Sequence, residues 1–545
     1  MSMITTSAWV RRGVAAQFPT KYEIDEEEMG RISKLAKMQL EEARDDLKAA
    51  QDGNEEEEDE SMDEDKKEAG DNAMEEDTEK TTKETSTITV DDDLKEYDLD
   101  HYDSDEVDED GEKTTMFGNV KSLAYHQPNE EDPYLAMPED EDNDEEREEL
   151  QILPTDNLLL AGKVEDEVAH LEVYVYEDQD ANLYVHHDIM LPAIPLCLEW
   201  LDMPVGKATE ERTSGNFVAV GTMEPDIEIW DLDIVDCMYP NAILGQGAAD
   251  AEEAAKKSKK KKKTKANDEF HVDSVLALAA NRQHRNLLAS ASADRTVKLW
   301  DLNTTKCAKS YSHHTDKVCS LDWHPKESTV LLTGSYDRTV VAADMRAPDA
   351  KARWGVDTDV ENVRWDVHDP NYFYVTTDGG MVYRYDVRNI PATPKESKPV
   401  WSLQAHDTSV SAFDINNAIP GFLVTGSTDK QVKLWNVENE KPSMVVSRKL
   451  EVGKVFSTTF APDAETSFRL AVAGSKGVVQ IWDTSTNAAV RRAFASRVPE
   501  LEGEVQERTV GLQADENESD DEEGGAEVGA AAAGGADGWE SMDED

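Results

Sequence analysis

The chain carries a histidine, a serine and an aspartate three times over, and these are the side chains that hydrolases use as base, nucleophile and orienting acid. Each serine follows its histidine by 21 residues, and each aspartate follows it by 23. The sets, with the residue found 29 positions after the histidine, are His271, Ser292, Asp294 and Trp300; His314, Ser335, Asp337 and Ala343; and His406, Ser427, Asp429 and Trp435. Because an active site has no reason to occur three times at one spacing, the pattern predicts a structural network and no catalysis.

These sets belong to a longer internal repeat. Its clearest copies are SASADRTVKLWDL, TGSYDRTVVAADM and TGSTDKQVKLWNV, which begin at residues 290, 333 and 425. Four weaker copies bring the number to seven, with the aligned aromatic position at Tyr176, Trp230, Trp300, Ala343, Tyr385, Trp435 and Trp482. A period in the forties, with strand-like segments that end in Trp-Asp, is typical of four-stranded propeller blades. We therefore predict an all-β fold, a seven-bladed β-propeller over residues 151–500.

The repeat resembles the WD-repeat family. The resemblance implies that each set forms a hydrogen-bonded chain across one blade, in which the aspartate holds the imidazole, the serine bridges and the indole N–H finds a buried acceptor. The first, second, fifth and seventh copies lack the histidine, so we expect those blades to rely on packing alone. We expect the last outer strand to come from residues 487–494 or from the N-terminal region.

Charge divides the chain into three parts. Its formal net charge is −62, but residues 1–150 hold 51 acidic and 16 basic side chains, residues 501–545 hold 16 and 1, and residues 151–500 hold 51 and 39. The acid-rich parts have few apolar residues to offset the entropy of ordering, so we predict disordered acidic N- and C-terminal tails around a folded middle. Two functions fit them: a solubilising tail, or an acidic arm for basic partners such as histones and ribosomal proteins.

Smaller features of the tails carry their own predictions. Apolar residues at spacings of three and four predict an amphipathic helix over about residues 25–51. The segment 7–15, with Trp9, is expected to be an anchoring peptide outside the core. The serines that precede acidic clusters, candidates for an acid-directed kinase, are Ser61, Ser104, Ser519 and Ser541.

The sequence gives no sign of a metal site, a cofactor or a membrane span. Cys197, Cys237, Cys307 and Cys319 form no CxxC pair, so we interpret them as reduced core thiols of an intracellular protein. The start of the chain lacks the apolar segment of a secretory signal. His186 and His187 are adjacent but have no further ligand type nearby, and we interpret them as strand or turn residues.

One block of positive charge interrupts this acidic chain. It lies in residues 245–269, an insertion that lengthens the spacing between the second and third repeats to 70 residues. Its lysines are Lys256, Lys257, Lys259, Lys260, Lys261, Lys262, Lys263 and Lys265. Two interpretations fit: a nuclear import signal alone, or a loop that also contacts RNA phosphates without reading bases.

Longer stretches resemble the periodic tryptophan protein 1 family of eukaryotic WD-repeat proteins across nearly the whole chain. They include AWVRRGVA from residue 8, DDDLKEYDLDHYD from residue 91 and LYVHHDIMLPAIPLCLEWLD from residue 183. The resemblance implies a non-catalytic scaffold of the nucleus and nucleolus. Its implied partners are ribosomal RNA and assembly factors of pre-ribosomal particles, in large ribosomal subunit assembly and rRNA processing. The alternative is a chromatin or histone-binding adaptor at ribosomal DNA. We expect no membrane partner and no small-molecule substrate.

Overall fold

The second strand of each repeat is apolar along its length, as a strand covered on both faces must be. Phe217–Thr222 and Phe422–Gly426 are buried at every residue. The computed structural model describes residues 2–22, 147–148, 150–206, 214–245, 267–347, 351–494 and 507–511. In it these strands lie inside four-stranded antiparallel sheets, and the predicted seven-bladed β-propeller is confirmed.

The seven sheets follow the chain, with the first strand of each innermost. Blade 1 is Ser2–Val10, Asn157–Glu165, Val168–Glu177 and Asn182–Leu191; blade 2 is Pro195–Leu201, Phe217–Thr222, Ile227–Asp231 and Ala242–Leu244; blade 3 is Val275–Ala280, Leu287–Ser292, Val297–Asp301 and Lys306–Tyr311; blade 4 is Val318–Trp323, Val330–Ser335, Thr339–Asp344 and Lys351–Gly355. Blade 5 is Val360–Trp365, Tyr372–Thr377, Met381–Asp386 and Trp401–Gln404; blade 6 is Ala412–Ile415, Phe422–Gly426, Gln431–Glu438 and Lys441–Lys449; blade 7 is Val455–Phe460, Arg469–Gly474, Val479–Asp483 and Arg508–Gly511. The remaining elements are a parallel pair, Thr20–Lys21 with Ile234–Val235, two 3-10 turns, Pro394–Glu396 and Thr484–Thr486, and a short helix, Ala488–Ala493.

The apolar core lies between neighbouring blades. One cluster joins blade 2, through Phe217 and Ile229, to blade 3, through Leu288 and Trp300. Another joins Tyr374 of blade 5 to Trp435 of blade 6. Each blade is therefore stabilised by burial against both neighbours, so the ring must close to cover every face. No helix in the described residues is long and apolar enough to cross a membrane.

The N-terminal segment closes the ring. Ser2–Val10 pairs antiparallel with Asn157–Glu165 as the innermost strand of blade 1. On its other side, Ser7 Oγ lies 2.8 Å from Ser457 Oγ of blade 7, and Trp9 Nε1 donates to Thr459 O at 3.1 Å. Trp9 is 8% exposed, so the prediction of an anchoring peptide outside the core is wrong. Its run of β-branched and aromatic residues suits a strand, but its partner lies about 150 residues away.

The last outer strand also differs from both predictions. Residues 487–494 form the short helix Ala488–Ala493, because the Asn487 side chain accepts hydrogen bonds from the N–H groups of Ala489 and Val490 and caps it. The strand comes instead from Arg508–Gly511, which pairs with Val479–Asp483. The described propeller therefore extends from Ser2 to Gly511, beyond the predicted limits of 151 and 500.

This closure makes most of the acidic N-terminal region an insertion within blade 1. The description stops at Tyr22 and resumes at Arg147, and residues 23–146 between them hold 49 acidic and 12 basic side chains. The two ends lie together: Ile152 N donates to Gln17 O at 3.0 Å, and the Arg147 guanidinium lies 4.4 Å from the centre of the Phe18 ring. The predicted helix at 25–51 and most of the two predicted disordered tails lie outside the described residues. For Ser2–Val10 and Arg508–Gly511 the prediction of disorder is wrong, because both segments are strands of the ring.

The blades give the ring two different faces. The upper face carries the connections from each outermost strand to the next innermost strand, and the turns between second and third strands. The lower face carries the turns between first and second strands and the turns between third and fourth strands. The acidic insertion links a first strand to a second, so both of its ends are on the lower face. The lysine-rich insertion links Ala242–Leu244 to Val275–Ala280, so its described ends, Gly245 and Asn267, belong to the upper face.

We expect two C-terminal truncations to differ in stability. Deleting residues 505–545 removes the strand Arg508–Gly511 and Glu507, whose carboxylate accepts from Trp482 Nε1 at 3.1 Å. It should lower the free energy of unfolding by about 1–3 kcal/mol, because a buried donor loses its partner. Deleting only residues 512–545 leaves these contacts and serves as the control. Urea denaturation of both variants measures the difference, and equal midpoints would contradict this assignment of the outer strand.

Candidate functional site

The histidine network of blade 3 crosses the sheet as a chain of four groups. Trp300 Nε1 donates to Ser290 Oγ at 2.8 Å, and Ser290 Oγ lies 2.7 Å from His271 Nε2. His271 Nδ1 lies 2.9 Å from an Asp294 carboxylate oxygen. Since the carboxylate only accepts, the imidazole donates from Nδ1 and accepts a hydrogen bond from the serine hydroxyl at Nε2. All four groups are thereby satisfied inside the protein.

The same chain occurs in blade 6 and, without its tryptophan, in blade 4. His406 Nε2 lies 2.8 Å from Thr425 Oγ1, which also accepts from Trp435 Nε1 at 2.9 Å. In blade 4, His314 Nε2 lies 2.8 Å from Thr333 Oγ1, and Ala343 stands where the indole would be. The histidines lie 2.9 Å from Asp429 and 3.1 Å from Asp337.

The bridging hydroxyl is not the one that the spacing predicted. Ser290, Thr333 and Thr425 bridge, and each lies two residues before the predicted Ser292, Ser335 or Ser427. Those three serines are buried at the ends of their strands and accept from the N–H of the aspartate two residues later, at 3.1, 3.1 and 3.3 Å. Because residues two apart share one face of a strand, both hydroxyls fit the pattern. The predicted serines hold the turn instead.

The aspartates organise the tight turns of the upper face. Asp294 accepts from Thr296 Oγ1 at 2.6 Å and from Thr296 N at 2.9 Å. Burial acts to raise the pKa of Asp294, but the hydrogen bonds from His271 and Thr296 outweigh it and lower the pKa to about 2. Burial lowers the pKa of His271 and His406 despite their aspartate partners. The networks therefore hold a neutral imidazole beside a charged carboxylate.

Solvent does not reach these groups. The side chains of His271, His314 and His406 are 0% exposed, and Ser290 is also 0% exposed. A nucleophile must meet its substrate, and none of these hydroxyls has access to one. The three sets therefore act as links that hold strands within a blade.

The blades that lack the histidine are not held by packing alone, and that expectation is wrong. In blade 5, Asp366 accepts from Tyr374 Oη at 3.1 Å and from Arg384 Nη2 at 2.8 Å. In blade 1, Glu172 accepts from Lys163 Nζ at 3.0 Å and from Tyr174 Oη. These buried ion pairs differ in residue type and position from the histidine sets, so the repeat spacing gives no sign of them.

Blades 2 and 7 also lack the histidine, and in each a tryptophan donates a hydrogen bond to a glutamate. In blade 2, Trp230 Nε1 donates to Glu228 at 3.2 Å, and burial raises the pKa of that carboxyl to about 7. In blade 7, Trp482 uses Glu507, as described above. The Trp482 contact joins the third strand of blade 7 to the start of its outer strand, whereas Glu228 and Trp230 lie on one strand of blade 2.

Four charged side chains lie at one level of the seven innermost strands, and sequence reasoning missed them. The residues in equivalent register on the seven innermost strands are Ala8, Glu199, Ala279, Asp322, Arg364, Asp414 and Thr459. The three carboxylates each accept a backbone N–H from the next blade: Ala280 N to Glu199 at 3.1 Å, Trp365 N to Asp322 at 2.7 Å, and Phe460 N to Asp414 at 2.8 Å. They link blades 2, 4 and 6 to their successors.

Burial also shifts the pKa of two of these carboxyls. Burial raises the pKa of Asp322 and of Asp414 to about 6, although the positive charge of Arg364, which lies between them on the ring, opposes the shift. Carboxyls on alternate innermost strands were a signal available in the sequence. It could be interpreted only once the register of all seven strands was known.

The remaining candidates are placed as follows. His186 and His187 lie on the outer strand of blade 1 with their Nδ1 atoms 2.7 Å apart, and no cluster of three metal-ligating side chains exists in the described residues. All four cysteines are thiols that form no disulfide within the described residues, with Cys197 and Cys237 buried and Cys307 and Cys319 half-buried. The lysines of the block 256–265 and the serines Ser61, Ser104, Ser519 and Ser541 lie outside the described residues.

We expect the bridging hydroxyl to contribute more in blade 6 than in blade 4. Thr425→Val leaves both Trp435 Nε1 and His406 Nε2 without a partner, whereas Thr333→Val leaves only His314 Nε2. With about 1–3 kcal/mol for each unsatisfied buried group, Thr425→Val should destabilise the propeller by roughly 1–2 kcal/mol more. Urea denaturation of the two matched variants measures this, and equal losses would show that the indole does not depend on the threonine.

Comparison with known proteins places the chain in a family. The family model described as "WD domain, G-beta repeat" matches residues 263–301, 305–341 and 397–436. An uncharacterised WD repeat-containing protein of Schizosaccharomyces pombe is 50% identical over 96% of this chain and 97% of its own length. Periodic tryptophan protein 1 of Saccharomyces cerevisiae is 39% identical over 93% of this chain and 92% of its own length. Its Drosophila melanogaster homologue is 34% identical over 70% of this chain and 78% of its own length. The chain is therefore a WD-repeat propeller that belongs to the periodic tryptophan protein 1 family.

Proposed function

We propose that the protein is a non-catalytic scaffold in assembly of the large ribosomal subunit and in ribosomal RNA maturation, in the nucleolus. The resemblance to the periodic tryptophan protein 1 family implies this role. The observation that supports it best is the placement of the two charged insertions. The acidic one begins and ends on the lower face of the ring, and the lysine-rich one begins and ends on the upper face.

Such a molecule offers a different chemistry on each face. Polyanions such as RNA are attracted by a lysine block through their phosphates, without base recognition. Basic proteins are attracted by the acidic insertion. The described ends of the two insertions belong to opposite faces of the ring. A scaffold that joins RNA to basic assembly factors or ribosomal proteins requires this arrangement.

A second function is favoured by the acidic insertion itself. With 49 acidic and 12 basic residues it also suits histones, as a chromatin adaptor at ribosomal DNA would require. Sucrose-gradient sedimentation of the tagged protein from nuclear extract separates the two functions. Co-sedimentation with pre-ribosomal RNA that is lost on ribonuclease treatment supports the scaffold, and co-sedimentation with nucleosomes in its place supports the adaptor.

The lysine block gives a sharper test. Lys259 to Lys263 are replaced by Gln in a protein that carries an independent import signal. If about four lysines contact phosphates, the logarithm of the affinity for single-stranded RNA falls with the logarithm of salt at a slope of roughly −3, and the Gln variant should lose most of that slope. Replacement of the same five residues by Arg keeps the charge and is the matched control. Normal particle association and an unchanged slope in the Gln variant would leave the block as an import signal only.

A further inference from the structure

A second group of lysines lies on the upper face, where blades 6 and 7 meet. We call Lys449, Lys454 and Lys476 the lysine sector. Lys454 N donates to Ser475 Oγ at 2.9 Å, Ser475 N donates back to Lys454 O at 2.9 Å, and Lys476 N donates to Val452 O at 3.2 Å. These backbone contacts hold the loop before blade 7 against the turn that carries Lys476.

The side chains of the sector are exposed, and their charges are not balanced locally. All three lysines are exposed, and none has an ion pair within the described residues. The exposed acidic residue nearest in sequence is Glu451, followed by Glu440 and Glu465. In a protein with a net charge of −62, three unpaired lysines in one place form a positive surface. Such a surface attracts acidic chains over a Debye length of about 8–10 Å.

The described chain ends beside this sector. The final strand runs from the lower to the upper face, since Arg508 pairs with Asp483 and Gly511 pairs with Gln480. Gln480 lies four residues beyond Lys476 on the strand that leaves the same turn. Residue 512 therefore starts at the upper rim of blade 7.

The segment that follows the described chain is acidic. Residues 512–545 contain 13 acidic side chains and no lysine or arginine, and seven of the acids lie in residues 515–523. At about 3.3–3.6 Å per residue, residues 512–523 reach up to roughly 40 Å. A tether this short gives an effective concentration in the millimolar range. The acids therefore lie within reach of the sector, and the tether offsets the weakness of each exposed contact.

We propose that residues 512–545 fold back onto the lysine sector and shield it from other polyanions. The tail then acts as an internal competitor, so that an anionic partner binds the upper face of blades 6 and 7 only by displacing it. Because the competition needs only charge and proximity, the inference does not depend on the ribosomal role.

Binding of a simple polyanion tests the proposal. The probe is a labelled 20-nucleotide oligouridylate at about 50 mM salt. The chain ending at Leu512, which keeps the strand Arg508–Gly511, should bind it about fivefold to tenfold more tightly than the full chain. Adding Lys449→Gln, Lys454→Gln and Lys476→Gln to the shortened chain should remove this gain.

Matched variants separate the sector from general charge effects. Lys306, Lys326 and Lys441 are also exposed but lie at the lower ends of their blades, and their replacement by Gln should keep the gain. Equal affinity of full and shortened chains would overturn the proposal. So would a gain that is removed by replacing Lys259 to Lys263 and not by replacing the sector, because the tail would then cover the lysine block instead.

A direct measurement uses carbodiimide, which joins a carboxyl to an amine as an amide with loss of water. In the monomeric full chain, mass spectrometry should find crosslinks between residues 515–523 and the sector lysines, and these should weaken at about 0.5 M salt. Crosslinks found only between two molecules, or only to Lys256–Lys265, would contradict the fold-back contact.

Discussion

Pairing of the N-terminal strand with a strand about 150 residues later is the constraint on which the rest of the structure depends. Without Ser2–Val10, blade 1 has no innermost strand, and the faces of blades 2 and 7 that it covers would be exposed. The other six blades are each built from contiguous or nearly contiguous chain. Among the described blades, blade 1 is therefore the one that pairs strands about 150 residues apart, and the acidic insertion lies in the chain between those two strands.

The sequence predicted the number of blades because each blade repeats the same local chemistry. Asp294, Asp337 and Asp429 fix a tight turn, and the residue after each, Arg295, Arg338 or Lys430, has a positive φ of 72°, 62° or 65°. The turn and the alternating strands after it are local features, so they appear in the sequence at constant spacing. The strand Ser2–Val10 has no such turn and lies far from its partner, and for this reason it was missed.

The site was predicted in part for a similar reason. Spacing identified the histidine and aspartate of each network and the tryptophan of two of them, because these residues lie at fixed positions in the repeat. It could not distinguish Ser290 from Ser292, because both side chains lie on the same face of one strand. It also could not reveal the links of Asp366 with Arg384 or of Glu172 with Lys163, which replace the histidine chemistry by buried ion pairs. Burying such a pair costs desolvation free energy. Removing one of its two residues destabilises a protein more than replacing both residues by apolar ones.

The position of the acidic insertion has a consequence for how this family can vary. The entropic cost of closing a flexible loop grows only by about 0.6 kcal/mol for each doubling of its length. Residues 23–146 could thus be halved or doubled with little effect on the ring, provided that the paired segments at both ends are kept. The number of charges in residues 23–146 can therefore change almost independently of the ring, whereas the sequence of the first ten residues is constrained by the packing of two blades.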